Sequence, residues 1–127
     1  MNEPRWLLRA VVEAIHEAQL AEHGGAAGLR DDHGLESALA RPRNLFVYGS
    51  GDLFAHAAAY AAGIVRNHPF VDGNKRTALL AAYVFLRLNG HTLDASEESA
   101  AQMTLGLAAH EITEDSFADW LRDNCQG

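Results

Sequence analysis

From Leu53 to Val65 the chain carries no Asp, Glu, Lys or Arg. Its apolar residues there, Leu53, Phe54, Ala57, Ala58, Tyr60, Ala61, Ile64 and Val65, cover so much of a helical circumference that the helix must be buried on nearly every side. A second segment of the same kind, from about Asn74 to Asn89, follows with Ala78, Leu79, Leu80, Ala82, Tyr83, Phe85, Leu86 and Leu88. A chain of 127 residues that must hide two such helices has to wrap further helices round them. The charge-free stretch contains His56 and falls short of the roughly 18 apolar residues a membrane span needs.

The rest of the chain agrees. It has 23 Ala and 16 Leu against six Val and three Ile, a tilt toward helix formers and away from β-branched residues. The expected fold is all-α, a compact bundle of about six helices forming a single domain over 1–127, with a short extended loop near the active site. A first helix follows Asn2 and Pro4, carries Leu8, Val11, Val12, Ile15 and Ala18 at helical spacing, and ends near Glu22 before Gly24 and Gly25. Asp31 or Asp32 caps a second, carrying Leu35, Ala38 and Leu39, which Arg41-Pro42 should end. Asp52 caps the third and central helix, and Gly90 stops the fourth. Asp94 with Glu97 opens a fifth helix to about Ala109, and Ile112, Thr113 and Phe117 read as staple, cap and staple partner of a sixth.

Charge and cysteine content narrow the function. Ten Lys+Arg against 17 Asp+Glu give −7, so phosphate backbones and anionic membranes repel the chain on average; neither nucleic acid nor membrane is an expected partner. The one cysteine, Cys125, cannot close an internal disulfide, and no secretory pattern opens the chain, which fits a reducing cytoplasm.

Between the two most apolar helices lies Arg66-Asn67-His68-Pro69-Phe70-Val71-Asp72-Gly73-Asn74-Lys75-Arg76-Thr77. Such a polar interruption of a core pattern is expected at a functional site, and Lys75 is the only lysine, beside nine arginines. The first N–H groups of the fourth helix, around Gly73 to Arg76, have no acceptors in the helix and carry its positive dipole end, which makes an anion cradle. Gly73 lets a phosphate approach the backbone. Lys75 and Arg76, in the first turn, oppose the helix dipole unless an anion is shared. Asp72 can hold a hard cation such as Mg²⁺ bridging phosphate oxygens. His68 is placed to act as general base on a hydroxyl nucleophile. Together these parts describe phosphoryl or nucleotidyl transfer. Taken singly, each also has a plain reading: a structural histidine, an Asp-Gly turn, a solvated basic face. Other site types fail on spacing, since no Gly-Lys dipeptide offers a P-loop and His16-Glu17 and His110-Glu111 lack the second histidine of a zinc-protease helix.

The run His68-Pro69-Phe70-Val71-Asp72-Gly73-Asn74-Lys75-Arg76-Thr77 resembles the signature of the Fic/Doc family, and more closely its Doc (death-on-curing) branch, His-x-Phe-x-Asp-Ala-Asn-Lys-Arg. Lys75 stands where the Fic branch has a second glycine and Leu79 where it has a final arginine; Pro69 and Gly73 are Fic-branch choices. Gly28-Leu29-Arg30-Asp31, the stretch from Leu35 to Pro42 and the region His110 to Thr113 are also Doc-like. The resemblance implies a toxin of a toxin-antitoxin pair that transfers the terminal phosphate of ATP to a threonine of elongation factor Tu. In the Fic branch the implied reaction is instead AMP transfer, and a non-catalytic partner-binding module is a further alternative. The implied roles are His68 as base, Asp72 as Mg²⁺ ligand, and Asn74, Lys75 and Arg76 as phosphate-binding groups, with Gly73 and Thr77 in the same run and Arg66 as a further contact. No Glu precedes Gly or Asn, so the internal inhibitory motif of some members is absent and the inhibitor should be a Phd-like antitoxin in trans, its disordered tail folding into a groove. The apolar run Leu45 to Tyr48 offers an extended edge on which a target segment could lie through Phe46 and Tyr48, unless it packs under its own loop.

Overall fold

The structure, a computed structural model, describes residues 2–127. These form six helices and one short strand pair: α1 (Arg9–His23), α2 (Asp32–Val47), α3 (Leu53–Asn67), α4 (Asn74–Leu88), β1 (Thr92–Leu93), α5 (Glu97–Ala108), α6 (Glu114–Asp123) and β2 (Cys125–Gln126). The all-α expectation therefore holds.

The Asp52 carboxylate accepts the Ala55 N–H at 2.9 Å and starts α3, in which every residue from His56 to Val65 is buried. α2, α4 and α6 pack round it, and α1 lies on α4. Where α2 crosses α3 the helices meet at Gly63, whose missing Cβ would fall 2.9 Å from Ala38 Cα. Tyr60 and Phe85 fill the centre with ring centroids 5.2 Å apart.

Four departures from the sequence reading have physical causes. α1 starts at Arg9, about a turn late, because the preceding residues are held by the core: Trp6 stacks on Phe85 at 5.8 Å and the Leu7 N–H donates to the buried Tyr60 hydroxyl at 3.0 Å. The inward face of α1 is Val12, His16 and Gln19, while Leu8 and Val11 are exposed. α2 does not stop at Arg41-Pro42 but runs on to Val47. An interior proline loses one helical hydrogen bond, at about 3 kcal/mol. The Pro42 ring is fully buried, and the next turn packs Phe46 edge-on against Trp6 at 5.9 Å. Finally, α5 is capped by Ser96, which accepts the Ser99 N–H, whereas Asp94 bonds across to Asn124 and Gln126 beside the β1–β2 pair. Thr113 caps α6 as its sequence position suggests.

Asp52 also pairs with Arg122 at 2.8 Å. Partial burial would raise the carboxyl's proton affinity, but the Ala55 N–H and the Arg122 guanidinium outweigh it and hold the group below the ordinary aspartate value. A depressed folded-state pKa contributes stability that is fully present above the unfolded value, about pH 4, and is lost as pH falls through the folded one. Asp52→Asn keeps a capping oxygen but no charge. The gap in melting temperature between wild type and this variant should therefore narrow between about pH 6 and pH 2.5. An unchanged gap would show that the ionised carboxylate contributes nothing.

Candidate active site

The polar loop between the two apolar helices sits at one end of the bundle. α3 closes on His68 in the left-handed conformation, φ 50° and ψ 54°, and its N–H still donates to Ile64 at 3.0 Å. For a non-glycine residue that geometry costs about 1–2 kcal/mol unless held. The Arg30 guanidinium holds it, donating to the His68 carbonyl at 2.7 Å and the Asn67 carbonyl at 2.9 Å. The segment before α2 also pairs with the loop backbone. Arg30 and Asp31 N–H groups donate to the Pro69 carbonyl at 2.6 and 2.9 Å, the Val71 N–H donates to Gly28 at 3.0 Å, and Leu29 bridges Phe70. The backbone that pairs with the site loop is thus Gly28 to Asp31, the run that the sequence offers as Doc-like. The stretch Leu45 to Tyr48 is instead the last turn and cap of α2, with Phe46 packed inward on Trp6 and His56 and Tyr48 85% exposed. It offers no extended edge, which corrects the docking expectation.

Asp72 presents an exposed carboxylate steadied by two backbone amides, with Gly73 N–H on Oδ1 at 2.8 Å and Ala26 N–H on Oδ2 at 3.3 Å. Gly25 makes room for it: a Cβ there would stand 2.8 Å from Asp72 Oδ2. Gly73, at φ 77°, starts α4. A Cβ on it would fall on the Gln19 amide nitrogen, so glycine is required here by α1 as well as by backbone angle. The first helical bond of α4 is Thr77 N–H to the Gly73 carbonyl at 3.0 Å; the N–H groups of Asn74, Lys75 and Arg76 precede it and have no acceptor among the described residues. Lys75 and Arg76 are exposed and pair with none of the described carboxylates.

His68, Asp72, Gly73, Lys75 and Arg76 line one cleft of about 860 Å³, bounded further along by Leu79, Leu80 and Tyr83 of α4, by Ala100, Ala101 and Leu105 of α5, and by Glu22 and His23 at the end of α1. Clefts of some 300–1,000 Å³ accept nucleotide-sized ligands. One end is cationic and rich in free amides, the rest largely apolar. His68 lines the cleft, and its imidazole has no hydrogen-bond partner among the described residues.

Three residues offered by the sequence are placed differently from these. Asn74 is buried and its carboxamide is occupied in both directions, accepting from Phe70 N–H at 3.0 Å and donating to Phe70 O at 2.9 Å. Its side chain shapes the loop, and the residue also lines the cleft. Thr77 is fully buried, with its hydroxyl unpartnered, and does not line the cleft. Arg66 points to another recess, where it and Arg41 converge on Glu114 at 3.3 and 2.5 Å. Conversely, two residues that the sequence did not single out for this site, His16 and Gln19, brace the loop from α1. His16 stacks on Phe70 with centroids 3.8 Å apart and donates from Nε2 to the Asp72 carbonyl at 2.8 Å; Gln19 donates to the Gly73 carbonyl at 3.3 Å.

The donor set fits Mg²⁺ in one way only. No group of three His, Cys, Asp or Glu side chains converges among the described residues, so an all-protein cage is absent. A single carboxylate with spare lone pairs beside a phosphate cradle suits an ion that keeps waters and shares phosphate oxygens.

The Fic/DOC family model matches residues 6–86. The chain is 40% identical over 110 residues to "Protein kinase doc" of Escherichia phage P1, covering 86% of each protein. It is also 40% identical over 100 residues to "Toxin Doc" of Mycolicibacterium smegmatis, covering 75% of this chain and 76% of that one.

Proposed function

The chain belongs to the Fic/DOC family, and from that premise we propose that it is the toxin of a toxin-antitoxin pair, a transferase that moves the terminal phosphate of ATP onto a hydroxyl of a translation factor such as elongation factor Tu. The observation that carries the reading is the cleft wall itself. His68 and Asp72 sit beside the unpaired Lys75 and Arg76 and three acceptor-free amides, in a cleft of nucleotide size. The protein supplies three actions. His68 takes the proton of the incoming hydroxyl as its oxygen bonds to the terminal phosphorus, while the bond from that phosphorus to the β-phosphate oxygen breaks and ADP leaves. The amides of the first turn of α4, with Lys75 and Arg76, carry the negative charge that spreads over the transferring group and the departing phosphate. The apolar walls further along the cleft offer a surface against which the rest of the nucleotide can lie. Asp72 would hold Mg²⁺, which when bound neutralises phosphate charge and orients the chain of phosphates.

The work of this enzyme is proposed to take place in the cytoplasm, where ATP and translation factors are found. A Phd-like antitoxin supplied in trans would lay an apolar segment along Leu79, Leu80, Tyr83 and Leu105, over the mouth of the cleft. AMP transfer is the second reading, favoured by the Fic-like Pro69 and Gly73. ATP labelled at either the terminal or the α-phosphate, incubated with the protein and purified elongation factor Tu, separates them. Transfer of only the terminal label is expected. Transfer of the α-label would establish AMP transfer, and transfer of neither, with ATP bound and the target verified, would leave a binding module.

A further inference from the structure

We propose that His16 and Gln19 of α1 are positioning residues that keep the phosphate end of the cleft lined by hydrogen-bond donors. The inference rests on the reading of that end as a phosphate site and adds to it the cause of its polarity. A loop peptide can present either its N–H or its carbonyl to a cleft, and the two orientations have opposite charge. At the start of α4 the choice falls on the carbonyls of Asp72 and Gly73. Both are drawn toward α1: Asp72 O accepts from His16 Nε2 at 2.8 Å, and Gly73 O accepts from Gln19 Nε2 at 3.3 Å as well as from Thr77 N–H at 3.0 Å. The Gly73 carbonyl shares its peptide with the Asn74 N–H, so drawing it toward α1 turns that N–H the other way, and the N–H groups of Asn74, Lys75 and Arg76 have no acceptors among the described residues beside the cleft.

The donors themselves are fixed. His16 and Gln19 are both buried, at 4% and 2% exposure, and the His16 ring lies flat on Phe70 with a 9° interplanar angle. Phe70 is in turn locked to Asn74 by two hydrogen bonds. The brace and the loop therefore share one rigid stack. The Asp72 carbonyl has no other donor among the described residues, whereas the Gly73 carbonyl is also held by Thr77 N–H. Removing the α1 donors leaves the Asp72 carbonyl without a partner and free to turn toward the cleft, where it would repel phosphate.

The test separates the hydrogen bond from the packing. His16→Phe keeps a ring on Phe70 and removes the donor; His16→Gln removes the ring and restores a donor. The amide signals of Asn74, Lys75 and Arg76 are followed by NMR while ATP with MgCl₂ is titrated into the full-length chain. In the wild type all three should move. In His16→Phe the dissociation constant should rise about tenfold, the scale on which residues supporting a ligand group act, with recovery in His16→Gln. Wild-type affinity in His16→Phe, or weaker binding by His16→Gln than by His16→Phe, would overturn the positioning role while leaving the phosphate site intact. A wild type whose three amides ignore ATP would overturn the phosphate site itself. Should His16→Phe not fold, Gln19→Met removes the second donor at nearly constant volume and is held to the same expectation, with wild-type affinity counting against the proposal.

Discussion

Replacing His68 is expected to abolish transfer while leaving the fold intact, a loss of about 10²–10⁴ in rate if it serves as general base. The side chain is exposed and free of hydrogen bonds, so its removal disturbs no packing. Its backbone, however, is left-handed at φ 50°, a conformation that alanine tolerates poorly and asparagine better. His68→Asn is therefore the cleaner variant, and His68→Ala should add about 1 kcal/mol of destabilisation to the same catalytic defect. Label transfer in single turnovers, growth arrest on expression, and antitoxin capture report the three consequences. Arrest and transfer should vanish and capture should persist. Undiminished transfer by either variant would remove His68 from the chemistry.

The largest stability effect should come from Phe85→Ala. This ring is fully buried and touches the aromatic systems of Tyr60, at 5.2 Å, and Trp6, at 5.8 Å, so it joins the extended N-terminal residues to the central helix. Truncating a buried phenylalanine costs about 3–5 kcal/mol, against a typical total of about 5–15. The melting temperature should fall by roughly 10–20 °C for a domain of this size. Urea unfolding followed by circular dichroism checks it, with Tyr48→Ala as the comparison: that ring is 85% exposed and its loss should change stability by less than about 0.5 kcal/mol. A Phe85→Ala chain as stable as Tyr48→Ala would mean that the core is not built round this contact.

The helix that announces the fold in sequence, α3, does so because burial on all sides leaves no ambiguity of face; α4 is nearly as apolar in sequence but leaves Leu80, Tyr83 and Leu88 exposed. The polar loop between them was legible for the same reason, as an interruption that packing alone would not choose. What was not legible was direction. Asn74, Lys75, Arg76 and Thr77 are consecutive, and at 100° per residue four consecutive helical side chains cannot share one face. Asn74 and Thr77, three apart, continue through Ala78 and Ala81 into the core, and Lys75 and Arg76 are left to the cleft. Periodicity counted from the core side would have separated them. Arg66 raises the same problem on α3, where a position two residues before His68 faces α6 instead. The passage of α2 through Pro42 was hidden because local propensity argued against it and only tertiary burial argues for it. His16 and Gln19 were passed over because they are polar residues on an amphipathic helix, where the expected inward stripe was apolar; their partners are backbone carbonyls 56 and 54 positions away, which no local pattern encodes.

That separation governs when the protein becomes dangerous to the cell that makes it. α1 leaves the ribosome first, the turn it braces 54 to 56 positions later in the chain, and the α5 side of the cleft last of all. A polypeptide abandoned part-way through translation carries α1 but not the turn, or the turn without its facing wall, and should lack transfer activity in either form. On the proposed function, activity should therefore arrive late in synthesis, which gives an antitoxin already present in the cell the whole elongation time to be waiting.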